Sequence, residues 1–180
     1  MLAYLFIIVA LIFRALNVSG LPFHMLNFTP VAAALLFFGA RQPRTRIWIP
    51  VGLLALSDLL LNFHYGAKFT PDFFVTIAWY AAIAWLGNAL LNKDSKPLRI
   101  GAASLIASVS FYLISNLMVW LVWDDMYAKT FGGLMQCYVA ALPFFRNTVT
   151  SDLVFSAAFF GIAYLVKTYA GEQADHTAAA

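Results

Sequence analysis

From Ile100 to Trp123 the chain runs without a single charged side chain. A helix needs about 20 predominantly apolar residues to cross the hydrocarbon core of a bilayer. That run meets the requirement, and other apolar stretches, broken only by isolated charges, cover 1–16, 47–62, 72–91 and 150–169. The overall composition is 63% apolar or aromatic and 11% charged, against about 45–50% and about 25% in soluble domains. The fold class that follows is all-α, a polytopic membrane protein. Its one domain spans 1–170, and 171–180 is expected to be a disordered cytoplasmic tail.

Six transmembrane helices are expected, near 1–16, 30–40, 47–62, 72–91, 98–123 and 150–169. The first is read as a retained helix and not as a signal peptide. No Lys or Arg precedes its apolar run, and Arg14 lies at the wrong end. Thr29 is a candidate N-cap for the second helix, with Pro30 at its first position. Ala78 and Ala82 on the fourth helix, and Ala103 and Ala107 on the fifth, have the small-xxx-small spacing of helix contacts. The segment 131–145 is too short for a span and contains Gly132, Gly133, Gln136 and Pro143. It is expected to be a re-entrant or surface helical piece between helices five and six, a backbone tolerated at membrane depth where protein or water surrounds it.

Charge placement orients this bundle. With a cytoplasmic N-terminus the inner side holds Arg41, Arg44, Arg46, Lys93, Lys96, Arg99 and Lys167. The outer side holds only Lys68, Lys129 and Arg146. The excess of basic residues at one face sets it as the inner one, so both termini are expected to be cytoplasmic. The basic residues are scattered and form no stripe for nucleic acid, which excludes that partner. The lipid bilayer is the partner that composition demands. The single cysteine, Cys137, excludes an internal disulfide. His24 and His64 stand alone and make a weak metal signal, so no metal and no cofactor is expected.

In this topology the polar groups gather in the outer half. Asn27 and Thr29 open the second helix, and Asp58 and His64 lie in the far half of the third. Asn116 and Trp120 lie near the end of the fifth. Tyr127, Gln136, Tyr138, Arg146, Asn147 and Asp152 follow in the connection and at the start of the last helix. These twelve are the candidate substrate-binding residues, since ionisable and polar groups inside a membrane usually face a bundle interior or a wet cavity. Each also has a structural reading. Asp58 pairs with Arg14 or caps a neighbour. Asp152 follows Thr150 and Ser151 as an N-terminal helix residue. Asn116 bonds between helices, Trp120 and Trp123 sit in the interfacial belt, and Arg146 pairs with Asp124, Asp125 or Asp152.

Four stretches carry a resemblance: NFTPVAAALLFFGA, SDLLLNFH, SNLMVWL, and YAKTFGGLMQCYVAALPFFRNTVTSD. They look like an uncharacterised family of small bacterial membrane proteins, which in turn resembles the substrate-binding (S) components of energy-coupling factor (ECF) vitamin transporters. The resemblance implies six helices in a bacterial inner membrane, uptake of a small vitamin-like or micronutrient molecule from the outer face, and an energising ECF module as partner. S components carry an Ala-xxx-Ala pattern in their first helix, and Ala3 and Ala10 depart from that spacing.

The expected function is therefore a small-molecule-binding subunit for uptake, with Gly132 and Gly133 as the hinge of a lid. A structural or assembly protein of the cell envelope, with no ligand, is the alternative. Enzymatic chemistry is not expected, because no nucleophile–base spacing, metal motif or phosphate loop is present.

Overall fold

The computed structural model describes residues 1–18, 28–64, 70–92 and 95–178. The helices are α1 (Leu2–Val18), α2 (Val31–Arg41), α3 (Trp48–His64), α4 (Pro71–Leu91), α5 (Pro97–Val122) and α6 (Phe131–Ala178), with a 3-10 turn at Arg44–Arg46 leading into α3. No strand is present among the described residues, so the chain is all-helical. Among the described residues, four helices are long and apolar enough to cross a membrane: α3 with its leading turn, α4, α5 and α6. The sequence reading counts six such spans. By length α1 and α2 fall short, at 17 and 11 residues. At about 1.5 Å per residue, α2 rises only about half the bilayer core.

That short helix is the centre of the molecule. Its residues are buried without a gap from Val31 to Ala40, as expected of a helix apolar on every face. It packs against α1, α4, α5 and α6. Its approach to α4 is close enough to admit only glycine at two points. A Cβ at Gly39 would run into the Ala84 carbonyl, and one at Gly87 into the Leu36 carbonyl. The Asn88 amide then closes the end of α2, donating to the Gly39 carbonyl at 3.1 Å and the Gln42 carbonyl at 3.3 Å. Those are orphan acceptors that every helix end leaves. At the other end α2 is capped by Pro30 with no side-chain hydrogen bond, so Thr29 is not the N-cap that its spacing suggested.

The packing faces match expectation on α5 and differ on α4. Ala103 and Ala107 are buried, together with Ser104 and Ser108 on the same face. On α4 the buried face is Trp79, Tyr80, Ile83, Ala84, Gly87, Asn88 and Leu91, whereas Ala78 and Ala82 are exposed. The expected alanine seam lies on the wrong side because Gly87 and Ala84, one turn further along, already provide the close approach to α2.

The largest departure is α6. It is one helix of 48 residues, and 131–145 is its first part, not a separate re-entrant or surface piece. It continues to Ala178, through the stretch that the sequence reading set apart as tail. Thr130 closes its start, where the Gly133 N–H donates to Thr130 Oγ1 at 3.1 Å. A Cβ at Gly133 would strike the Ala128 carbonyl, so this glycine permits a tight entry into the helix. Pro143 lies inside α6 and leaves the Val139 carbonyl without its helical donor. Between the Ser108–Asp152 and Asn116–Cys137 contacts, α6 takes nearly twice as many residues as α5. The two helices therefore do not run as straight neighbours there, and Pro143 lies within that interval.

Candidate ligand-binding site

Three groups of polar side chains bear on a site. The first ties α1, α3 and α4 together. Arg14 pairs with Asp58 through Nη2 and Oδ1. Arg14 Nη1 donates to the Tyr80 hydroxyl at 2.7 Å, and that hydroxyl donates to Asp58 Oδ2 at 2.9 Å. Each member meets both others. The Arg14 and Asp58 side chains are each 17% exposed, so this is a largely buried ion pair closed by a phenol. The pairing of Asp58 with Arg14 is thus present, and Tyr80 is the member that sequence spacing did not reveal.

The second group stitches α5 to the first part of α6. Tyr112 donates to the Tyr138 carbonyl at 2.7 Å, and Tyr138 donates to the Leu113 carbonyl at 2.8 Å. The Asn116 amide donates to the Tyr112 carbonyl at 2.8 Å, and the Cys137 thiol lies 3.4 Å from the Asn116 carbonyl. Trp120 Nε1 donates to the Ala128 carbonyl at 2.9 Å. Lys129 meets Asp124 at 3.1 Å, lies over the Trp120 ring and donates to the Trp120 carbonyl. The connection between α5 and α6 is latched by these bonds.

The third group opens on a cavity of about 1070 Å³ between the start of α1, the end of α2, the start of α5 and the later part of α6. Phe37, Ile100, Leu153, Ala157 and Phe160 supply apolar wall. Arg41 and Lys167 line it as cations, and no carboxylate does among the described residues. Ser104 and Ser156 also line it, and Ser104 donates to Ser156 at 2.7 Å. One turn along α5, Ser108 Oγ lies 2.6 Å from Asp152 Oδ2 and 3.0 Å from the Ser104 carbonyl. A single hydroxyl hydrogen serves one of these acceptors at a time. An ionised Asp152 claims it, whereas a protonated Asp152 donates to Ser108 and releases that hydrogen to the Ser104 carbonyl. Asp152 is 2% exposed, and no ion pair reaches it among the described residues.

The structure does not gather the expected site residues. Asn27 lies outside the described residues. Asp58 sits in the first group, and Asn116, Trp120 and Tyr138 in the second. Asp152 is buried beside the third, and the Thr29 carbonyl accepts from its neighbour Ser151 at 3.3 Å. Tyr127 and Asn147 are half-buried, and His64, Gln136 and Arg146 are exposed. None of the described ones lines the cavity. Sequence reasoning missed Arg41, Lys167, Ser104 and Ser156. The signal for the serines was there, since Ser104 and Ser108 share a face with Ala103 and Ala107.

A family model described as a family of unknown function, DUF6580, matches residues 1–174. No curated protein and no solved structure matches the chain.

Proposed function

The chain belongs to this family of unknown function, and we propose that it is a membrane-embedded small-molecule-binding protein serving uptake, in the manner of the S components it resembles. The observation that carries this reading is the cavity of about 1070 Å³. Ligand chambers commonly measure about 300–1,000 Å³ and combine apolar walls with a few polar groups, and this one has that make-up. Its position revises where the ligand is held. The cavity opens at the end of the bundle that carries Arg41, Gln42, Ser95, Pro97 and Lys167, beside Arg44, Arg46, Lys96 and Arg99. By the positive-inside rule this is the cytoplasmic end. The chamber is then an inward-facing one, in a bacterial inner-membrane protein with α1 and α2 completing six membrane helices. An energising module remains the proposed partner. Ala3 and Ala10 are buried in the core, so its contact lies on another face.

A structural role in an envelope assembly is the second reading. It is favoured by the α5–α6 connection, whose expected ligand contacts Asn116, Trp120 and Tyr138 are engaged internally.

Two glycines on the cavity wall supply the test. Gly101 and Gly161 line it, and a Cβ at either meets nothing within 4 Å. Gly101→Leu and Gly161→Leu should therefore fill the space without disturbing the fold. Native mass spectrometry of gently purified protein should show a co-purified small molecule on the wild type. Both variants should lose it while melting within a few degrees of the wild type. A wild type with no bound molecule, or variants that keep it, would favour the structural reading.

A further inference from the structure

We infer that the cavity takes an amphipathic anion, an apolar body ending in a carboxylate or phosphate; this rests on the cavity being a ligand chamber at all. Three observations combine. The walls carry the aromatic rings of Phe37 and Phe160. The charged lining is of one sign among the described residues, from Arg41 and Lys167. The Arg41 guanidinium is held over the ring faces of Phe37 and Phe160, 5.7 and 5.8 Å from their centroids. That stacking holds the charge at the boundary between apolar wall and open end and leaves the edge of the fork, where its N–H groups point, available to an anion. Arg44, close by in sequence, is differently placed. It donates to Asn88 at 2.9 Å and lies over Trp85, so its charge belongs to the α2–α4 contact. Arg41 and Lys167 are both exposed, so they stay solvated without a ligand, and they favour an anion by offering it charge-assisted contacts at the open end.

The two sources of such an anion are a soluble metabolite and an anionic lipid of the inner leaflet. Both present the same chemistry, and one experiment separates them. A dansyl-labelled undecanoate and its neutral methyl ester are titrated onto the full-length protein in phosphatidylcholine nanodiscs, read by dansyl fluorescence. The carboxylate should bind at least about tenfold more tightly than the ester, the return on a charge-assisted contact. The double variant Arg41→Gln, Lys167→Gln should bind both alike, at the affinity of the ester. Arg41→Lys with Lys167→Arg should restore most of the preference and exclude a folding defect. Equal binding of carboxylate and ester by the wild type, or a preference that survives the double variant, overturns the inference while leaving the chamber in place. Failure of both probes to bind the wild type, or their undiminished binding to Gly161→Leu, removes the chamber itself. Repeating the titration in phosphatidylglycerol nanodiscs identifies the source. Loss of probe binding there assigns the anion to a lipid headgroup, and unchanged binding assigns it to a soluble molecule.

Discussion

Asp58 and Asp152 are both aspartates in the middle of apolar helices, yet the protein accommodates them by different means. Asp58 meets a guanidinium and a phenol, in a triangle that joins three helices. Asp152 is the more deeply buried, and its partner is one serine hydroxyl on α5. A buried ion pair recovers its desolvation cost only while both partners remain. A carboxyl facing a hydroxyl makes no such demand, since it can shed its charge and keep the hydrogen bond. The first arrangement holds the peripheral α3 onto the bundle, where only Pro50, Val51 and Leu54 are otherwise buried. The second adds little attachment to a seam that small residues already close, and it leaves a titratable group joined through Ser108 to the serine pair of the cavity.

The largest effect should come from breaking the triangle. Arg14→Ala or Asp58→Ala should each cost about 3–5 kcal/mol, because either leaves a buried charge without its counter-ion. Unfolding in detergent measures it. The double variant should lose clearly less than the two single losses together. Strict additivity would mean that the pair is not coupled, and the contrast with Asp152 would then have no basis.

Asp152→Asn should be much milder, with a change below about 1 kcal/mol in either direction, since the amide oxygen still accepts from Ser108. Asp58→Asn, the same substitution in the other setting, should remain strongly destabilising because Arg14 is left with no anion. If thermal melts rank the two asparagine variants equally, Asp152 has a charged partner after all.

The smallest effect is expected at Arg146. Its side chain is exposed, and no ion pair reaches it among the described residues. Arg146→Ala should shift stability by no more than about 0.5 kcal/mol and leave ligand retention intact. Loss of ligand without loss of melting temperature would return the site to the opposite end of the bundle and demote the cavity.

Much of the architecture was legible because it depends on local pattern. Apolar run length gave helices where α1, α3, α4 and α5 are found, and the isolation of Asp58 and Arg14 in apolar helices pointed each to the other. The join at 131–145 was not legible. Gly132, Gly133 and Pro143 read as breakers by propensity, but Thr130 closes the helix start before the glycines and packing carries α6 through the proline. The dispersal of the candidate site residues was not legible for a related reason. Asn116, Trp120 and Tyr138 have the chemistry of ligand contacts, but backbone carbonyls take up their donors: Tyr112 within α5, Ala128 in the connection, and Leu113 across the α5–α6 seam.

The sequence by itself determined helices apolar enough to cross a membrane, a basic end and the pairing of Asp58 with Arg14, because hydropathy and charge act at each residue wherever the chain goes. The tertiary structure alone decided that α2 lies at the centre, that Gly39 and Gly87 admit α4 against it, and that Arg41 and Lys167 face a common space from helices far apart in the chain. Those outcomes depend on which faces meet at which register, and a one-turn shift in a crossing point changes them while leaving every local preference satisfied.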